Sequence, residues 1–276
     1  MRMTGAGTGG PPVVFVHGFA CDATDWHAQV DSLKTRTTVV VCELPGHGLS
    51  PGTPAECPGT PAECTIEAYG AAVGRALTEL KLPPAFLVGH SMGCRVVLEA
   101  SRAEPDAVSG LVLVDGSRIG EGDAMAAKWA MAEELAGDGY VRFVRQFFES
   151  MFVPSSDRAL ARAIIDRALR LPTAAGRTLL TDLAGWDARE VENALDSIRV
   201  PLLAIQSTTL DTARERVSLE PGQSSRWLDL VRAHVPQAII EMLPGSGHFP
   251  QIELADEVTA LIADFALDDQ PPIPGA

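Results

Sequence analysis

Basic residues are scarce in this sequence: 22 Lys and Arg face 36 Asp and Glu, which leaves a formal net charge of −14. Nucleic acids and anionic membrane surfaces are bound through basic faces, so this balance argues against both as partners. No apolar run reaches membrane-spanning length, and residues 1–12 lack the apolar stretch of a signal peptide. We therefore expect a cytoplasmic protein that acts on a small molecule, with its oligomeric state left open.

Cysteines are few and their spacing is uninformative. The five residues are odd in number and show no C-x-x-C pair, which favours neither a zinc site nor a disulfide framework. We expect mostly free thiols and no bound metal. Residues 51–57 recur immediately as residues 58–64, and this Pro- and Gly-rich duplication is too short for a repeat architecture, so it predicts a surface loop.

Short aliphatic runs alternate with helix-period segments along most of the chain. The runs are bounded by Gly, Pro or charged residues and lie at 13–16, 38–42, 85–88, 111–114, 202–205 and 239–242. Strands that are apolar on both faces and separated by amphipathic helices indicate a sheet covered on both sides. The sequence thus predicts an α/β fold with a mostly parallel, doubly wound sheet of about six to eight strands.

The alternation stops after the run at 111–114. Residues 117–196 contain four helix-period stretches and no convincing strand, and they hold many of the large apolar residues of a chain with only 5% aromatics. An all-helical insertion between two strands of a parallel sheet is best explained as a cap over the strand ends. We therefore divide the chain into a core, residues 1–116 and 197–276, and a helical cap, residues 117–196.

The pentapeptide Gly89-His90-Ser91-Met92-Gly93 fits G-x-S-x-G and follows the apolar run at 85–88. A strand, a sharp turn that holds a serine, and then a helix form a nucleophile elbow, in which the serine side chain projects from the sheet edge. Glycines on both sides allow the strand and the helix to approach closely. The alternative is a serine in an ordinary glycine turn, which this strand–helix context disfavours.

These elements, taken in order, resemble the α/β-hydrolase fold from about residue 12 to residue 267. The motifs that carry the resemblance are Val14-Phe15-Val16-His17-Gly18-Phe19, Leu44-Pro45-Gly46-His47-Gly48-Leu49-Ser50, the elbow at Ser91, Leu113-Val114-Asp115-Gly116 and Gly245-Ser246-Gly247-His248-Phe249. One departure is visible, because only a dozen Gly- and Pro-rich residues stand where members of the fold have an antiparallel hairpin. The sheet is therefore expected to have about six strands where eight are common.

The resemblance implies a triad in the chain order Ser, acid, His. His248 lies in a glycine-rich loop after the last strand and is the expected general base toward Ser91. The position of the acid in the family favours Asp211, in the loop after the strand at 202–205. Asp115, at the end of the preceding strand, is the alternative acid, and Glu215 is a distant third.

The resemblance also assigns the oxyanion hole to the backbone N–H groups of Phe19 and Met92. Two such donors aimed at the developing charge are what acyl transfer requires. His17, His47 and His90 are expected to be turn or pocket-wall residues.

A serine nucleophile disfavours the alkyl-ester chemistry for which related folds use an aspartate, and acyl transfer to water remains. We therefore expect a carboxylesterase acting on small to medium, partly apolar esters, with no cofactor. The G-x-G-x-x-G match at residues 5–10 follows no predicted strand and precedes no predicted helix, so it is no dinucleotide site. Alternatives on the same triad are a lactonase, a C–C bond hydrolase and a perhydrolase, and a non-enzymatic small-molecule receptor or regulator is the alternative of another class.

Overall fold

The computed structural model describes residues 2–6, 9–48, 64–210, 216–220 and 222–268. The strands in chain order are β1 (Arg2–Ala6), β2 (Val13–Val16), β3 (Thr38–Cys42), β4 (Ala85–His90), β5 (Val108–Val114), β6 (Leu202–Gln206), β7 (Thr208–Leu210), β8 (Arg216–Ser218) and β9 (Ile239–Met242). Seven of them form one sheet in the order β1-β3-β2-β4-β5-β6-β9, and β7 pairs with β8 in a separate hairpin. All neighbours in the large sheet are parallel except β1 and β3, which confirms the predicted fold class.

Helices connect the strands and cover both faces of the sheet. They are α1 (His27–Leu33), α2 (Ile66–Glu79), α3 (Met92–Ala103), α4 (Ala124–Glu134), α5 (Gly139–Glu149), α6 (Arg158–Ala168), α7 (Thr173–Arg189), α8 (Val191–Asp196), α9 (Arg226–His234), α10 (Pro250–Glu253) and α11 (Ala255–Leu267). Several begin with a side-chain cap: the hydroxyl of Ser225 accepts from the N–H of Leu228, and the carboxylate of Asp123 accepts from the N–H of Ala126. Each cap satisfies one backbone donor that the first helical turn leaves unpaired.

Successive side chains of a strand point to opposite faces of the sheet, so each inner strand contributes to a core on either face. In β2, Val13 and Phe15 enter a core with α1 and α11, whereas Val14 and Val16 enter a larger core with α2 and α3. All four side chains are fully buried. The central strands therefore tolerate no polar residue until their carboxyl ends, where the chain turns toward solvent.

An antiparallel edge strand precedes the first predicted strand. The backbone of β1 pairs with β3, Arg2 opposite Val41 and Ala6 opposite Thr38. No strand is predicted for residues 2–6 from the sequence, because this segment has no apolar run. An edge strand can form through backbone hydrogen bonds to a neighbour that is already in place, so its residues need not be buried on both faces.

The chain between β5 and β6 is helical. All residues of 117–196 are described, and they form α4 to α8 without a strand. α4 packs on α7, and α5 packs on α6. Of the two tryptophans in this segment, Trp129 is 66% exposed and Trp186 is fully buried. The division into core and cap at residues 117 and 196 stays a prediction.

Some sequence predictions fall on residues that the structure leaves undescribed. These are Asp211, Glu215 and all of the duplicated segment 51–64 except Cys64. Among the described helices, none is long and apolar enough to cross a membrane.

Candidate active site

Ser91 occupies the turn between β4 and α3 in a strained conformation. Its backbone has φ 54° and ψ −115°, a left-handed conformation that non-glycine residues rarely adopt. The Ser91 N–H donates to the carbonyl oxygen of Val114 over 3.0 Å, which ties the turn to the end of β5. Strain of this kind persists where the surrounding structure dictates it, and it lifts the serine side chain away from the sheet.

Glycines on either side of Ser91 make the turn possible. A Cβ at Gly89 would lie 2.3 Å from the carbonyl oxygen of Gly93, and a Cβ at Gly93 would lie 2.5 Å from that of Val16. Both separations are far below contact distance, so strand and helix could not approach this closely with any other residue. The glycines predicted from the motif are thus required by packing.

His248 is held in its loop by contacts from the helical segment and from α10. Its backbone N–H donates to the carbonyl oxygen of Met151 over 2.8 Å. The adjoining Gly247 N–H donates to Oε1 of Glu253 over 3.0 Å, and a Cβ at Gly247 would lie 2.5 Å from the Met151 oxygen. The residues between β5 and β6 therefore help to position the imidazole.

Three side chains meet at the carboxyl ends of β4 and β5. The hydroxyl of Ser91 lies 2.8 Å from Nε2 of His248, and Nδ1 of His248 lies 2.6 Å from Oδ2 of Asp115. His248 and Asp115 are almost fully buried. Asp115, like Ser91, has a positive φ, here 43°. The three residues form a continuous hydrogen-bonded chain from a carboxylate to a hydroxyl.

The carboxylate in this hydrogen-bonded chain is Asp115, the alternative acid predicted from the sequence, and not the favoured Asp211. Asp211 lies outside the described residues, whereas Asp115 makes the contact to His248. The loop after β6 does take part, but through its hydroxyls and amides. The position of the acid in the family favours Asp211 in that loop, whereas the carboxylate that contacts His248 comes from the strand before.

Asp115 accepts hydrogen bonds at both of its oxygens. Oδ1 accepts from the N–H groups of Ser207 and Thr208, over 2.8 and 3.0 Å, and Oδ2 accepts from the Thr208 hydroxyl over 2.7 Å. Burial by itself raises the pKa of this carboxyl. The hydrogen bond to His248, the charge of Arg216 and the hydrogen bond from the Thr208 hydroxyl lower the pKa by more than burial raises it, so it lies well below its usual range. Asp115 is therefore ionised at neutral pH.

The protonation of His248 follows from its neighbours. Burial and the charge of Arg216 lower its pKa to about 4, against the opposing effect of Asp115. The imidazole is neutral at pH 7, and because an ionised Asp115 can only accept, the proton resides on Nδ1. Nε2 then carries the lone pair that faces Ser91, which is the tautomer a general base needs.

The two expected oxyanion donors flank Ser91. Met92 begins α3, where the first N–H groups have no partner within the helix. Phe19 follows Gly18, and a Cβ at Gly18 would lie 3.2 Å from the Cβ of Ser91. Among the described residues, neither N–H donates to a backbone oxygen outside regular structure. Both groups remain predicted oxyanion donors.

The other motif histidines are buried, and their hydrogen bonds hold the surrounding loops. His17 accepts from the N–H of Leu44 at Nε2 over 3.1 Å, and His90 Nε2 lies 2.7 Å from the carbonyl oxygen of His248. Burial lowers the pKa of both imidazoles to about 3. They are thus neutral and link the first motif to the second and the elbow to the His248 loop.

A buried ion pair joins the elbow to the helical segment. Arg95 on α3 donates through Nε and Nη2 to the two carboxylate oxygens of Asp187 on α7, each over 2.9 Å. Its Nη1 donates to the carbonyl oxygen of Ser91 over 2.9 Å. Neither side chain of the pair is exposed by more than 1%. One guanidinium therefore fixes the turn at Ser91 and α7 together.

Sequence reasoning missed Thr208, Arg216 and the pair Arg95–Asp187. Thr208 begins β7, two residues after the end of β6, at the sheet edge where ligands bind, and this position was a usable signal. Arg216 and Asp187 lie in no motif, and only their contacts reveal them. Within the described ranges, no three His, Cys, Asp or Glu side chains are grouped as a metal site requires.

A cavity of about 810 Å³ opens beside Asp115. It begins at Gly116 and Ser117, passes Thr208 and Arg216, and has apolar walls from α4, α5 and Trp227. Its volume lies in the range of pockets that hold small organic ligands. The cavity adjoins the acid side of the hydrogen-bonded chain, and Ser91 is not among its described lining residues.

Comparison with known proteins gives one family and several distant relatives. The model of the alpha/beta hydrolase family matches residues 13–261. The dihydrolipoyllysine-residue acetyltransferase component of the acetoin cleaving system of Cupriavidus necator is 27% identical over an alignment 279 residues long. The alignment covers 95% of this chain. This chain spans only 65% of the length of that relative. The pimeloyl-[acyl-carrier protein] methyl ester esterase of Methylococcus capsulatus is 37% identical over 108 residues, 39% of this chain and 38% of that protein.

A solved structure shares the whole fold. The thermophilic esterase of Thermogutta terrifontis superposes with a TM-score of 0.75 at 23% identity, and the match covers 96% of this chain and 91% of the other. At that identity the likeness extends to the fold alone.

Proposed function

Because this chain belongs to the alpha/beta hydrolase family, we propose that it hydrolyses carboxylic esters of small to medium, partly apolar substrates through an acyl-enzyme on Ser91. The observation that supports this most directly is the hydrogen-bonded chain Asp115, His248, Ser91, with distances of 2.6 and 2.8 Å. The ester hydrolases among the distant relatives are consistent with it. The proposal takes Asp115 as the acid in place of Asp211.

The first half of the reaction forms the acyl-enzyme. Neutral His248 accepts the Ser91 proton at Nε2 while Oγ attacks the ester carbonyl carbon. Ionised Asp115 stabilises the imidazolium that results and keeps its ring oriented. The N–H groups of Phe19 and Met92 bind the oxyanion of the tetrahedral intermediate. His248 then gives its proton to the departing alkoxide, the alcohol leaves, and the acyl group remains on Ser91.

The second half repeats these steps with water. His248 removes a proton from a water molecule, which attacks the acyl carbon, and the tetrahedral intermediate again places its charge at Phe19 and Met92. As it collapses, the proton returns to Ser91 Oγ and the carboxylic acid departs. No residue beyond those named changes its protonation state.

Hydrolysis of p-nitrophenyl esters of increasing acyl length tests the proposal. The wild type should turn over repeatedly with an optimum of chain length, because the space at Ser91 has a fixed size. Ser91→Ala should lower kcat by about 10⁴-fold or more while the melting temperature stays near that of the wild type.

Two results would contradict the proposal. Retained hydrolysis by a folded Ser91→Ala variant would remove Ser91 as nucleophile. Labelling of Ser91 by a fluorophosphonate without turnover of any ester would favour a receptor role over an esterase.

A further inference from the structure

Arg216 is a buried cation, and some of its N–H groups have no hydrogen-bond acceptor. In the hairpin of β7 and β8, Arg216 pairs with Leu210. Thr208 lies two residues before Leu210 on the same strand, so it is on the same face of the hairpin as Arg216. The Arg216 side chain is only 6% exposed, and Nη1 donates to the Thr208 hydroxyl over 2.7 Å. Nε is buried with no acceptor, and Nη2 makes no hydrogen bond within the described part of the chain. Nε and Nη2 form one edge of the planar guanidinium, the edge that can bind a carboxylate with two parallel bonds.

Trp227 adds a second unpaired donor to the same cavity. Its indole is 2% exposed and Nε1 has no acceptor. A Cβ on Gly116 would lie 2.3 Å from Nε1, so the indole rests directly on the backbone that follows Asp115. Both Arg216 and Trp227 line the cavity. The Arg216 guanidinium and the Trp227 indole N–H can only donate hydrogen bonds. A ligand that pairs with them must therefore supply hydrogen-bond acceptors.

The described lining of the cavity has a small excess of cationic side chains. Arg118 is paired with Glu192 over 2.9 Å, and Arg226 with Glu121 over 3.3 Å. Arg216 has only Asp115, 3.8 Å away, and that carboxylate already binds His248. The described lining holds three arginines and two glutamates, a cationic excess in a chain of net charge −14. Asp115 balances the charge of Arg216, but the edge formed by Nε and Nη2 has no acceptor within the described part of the chain.

Part of the cavity wall is apolar. Phe143 and Phe147 of α5 stack with ring centroids 5.4 Å apart, and both line the cavity with Met131. Phe147 contacts Phe148, which in turn lies 6.4 Å from the ring of Phe19. A ligand that fills this cavity can therefore contact both the buried donors and an aromatic surface.

We propose that this cavity binds a small organic carboxylate, with the carboxylate on the free edge of Arg216 and on Trp227 Nε1 and the apolar body against Phe143 and Phe147. The site goes beyond ester hydrolysis at Ser91, and the two stand or fall separately, because the site is tested by binding and not by turnover. A carboxylate carries one negative charge and a phosphate group carries nearly two, so the one guanidinium with a free edge favours the carboxylate.

Calorimetric titration of the wild-type protein with phenylacetate and with its neutral analogue phenylacetamide tests the site. Phenylacetate should bind and should lose about tenfold or more in affinity in Arg216→Gln, because a charge-assisted pair of bonds is removed. Phenylacetamide should bind both proteins equally. Arg232→Gln is the matched control: it removes the same charge from an exposed position on α9 and should leave phenylacetate affinity within about twofold.

Trp227→Phe provides a second measurement if Arg216→Gln lacks a cooperative melting transition. It keeps the ring and removes Nε1–H, and phenylacetate affinity should fall while phenylacetamide affinity changes less. The proposal is overturned if phenylacetate fails to bind the wild type, if a folded Arg216→Gln binds it unchanged, or, where that variant does not fold, if Trp227→Phe binds it unchanged. Tighter binding of phenylphosphonate than of phenylacetate overturns the assignment to a carboxylate.

Discussion

At the scale of single residues, backbone strain is concentrated at the candidate site. The described non-glycine residues with positive φ are Ala20, Lys81, Ser91 and Asp115. Two of them belong to the hydrogen-bonded chain, and Ala20 follows the predicted oxyanion donor Phe19. Such conformations cost about 1–3 kcal/mol each and persist where surrounding contacts dictate them. The strain places a hydroxyl and a carboxylate on either side of His248.

The identity of the acid is tested by a pair of matched substitutions. Asp115→Asn should lower kcat by about 10⁴-fold, because the amide no longer enforces the tautomer of His248 and no longer stabilises the imidazolium. Asp211→Asn makes the same chemical change in the following loop and should leave kcat within a few-fold of the wild type. The measurement is steady-state hydrolysis of the best p-nitrophenyl ester, with circular dichroism to verify folding. A large loss in Asp211→Asn and a small one in Asp115→Asn would restore the first interpretation.

At the scale of elements, the candidate site depends on how strands and helices are joined. β4, β5 and β6 are parallel neighbours, so their carboxyl ends bring Ser91, Asp115 and Thr208 to one edge. The His248 loop is tied to this edge by the Ser207 hydroxyl, 2.8 Å from the Gly247 carbonyl oxygen, and by Met151. The elements around the candidate site thus hold one another in register.

The contact between α3 and α7 yields a prediction about stability. Asp187→Ala leaves Arg95 as a buried charge without its partner, and we expect a loss of about 3–5 kcal/mol in the free energy of unfolding. Glu121→Ala breaks an exposed pair with Arg226 and should cost about 1 kcal/mol or less. Urea denaturation of both variants beside the wild type measures the difference. Equal losses would mean that the buried pair does not support the contact between α3 and α7.

At the scale of the whole molecule, buried histidines make the fold sensitive to acid. Burial is the largest cause that lowers the pKa of four of them, to about 3 or 4: His17, His47, His90 and His248. In the unfolded chain a histidine titrates near 6.5, so the unfolded state binds more protons below that pH. Stability from these groups is therefore complete above pH 6.5 and declines as the pH falls toward 4.

Thermal melting between pH 7 and pH 5 tests this expectation. The raised pKa of Asp25, Glu67 and Glu253 acts in the opposite direction at lower pH, which is why the interval ends at 5. The melting temperature should fall steadily over the interval, and His47→Gln should make the fall less steep. His27→Gln, a change at an exposed side chain, is the control and should keep the wild-type slope. A melting temperature independent of pH in the wild type would contradict the expectation.

The sequence by itself determined the sheet and identified Ser91 and His248 as candidate site residues. Apolar runs that are buried on both faces form the inner strands of a covered sheet, and these runs became β2 to β6, while the run at 239–242 became the edge strand β9. Ser91 and His248 were identified because their motifs are local: strand, glycine and helix lie next to one another in the chain. The antiparallel edge strand escaped this reasoning, since its pairing rests on backbone bonds that leave little trace in side-chain pattern.

Only the tertiary structure decided which carboxylate faces His248 and what surrounds it. Asp115 and Thr208 are more than 90 residues apart in sequence yet share hydrogen bonds, because parallel strands bring their carboxyl ends together. Arg216 reaches Thr208 through the β7–β8 hairpin, and Arg95 reaches Asp187 across the contact between α3 and α7. A contact between distant segments depends on the distances and directions of side chains after the whole core has packed, and no local pattern carries that information.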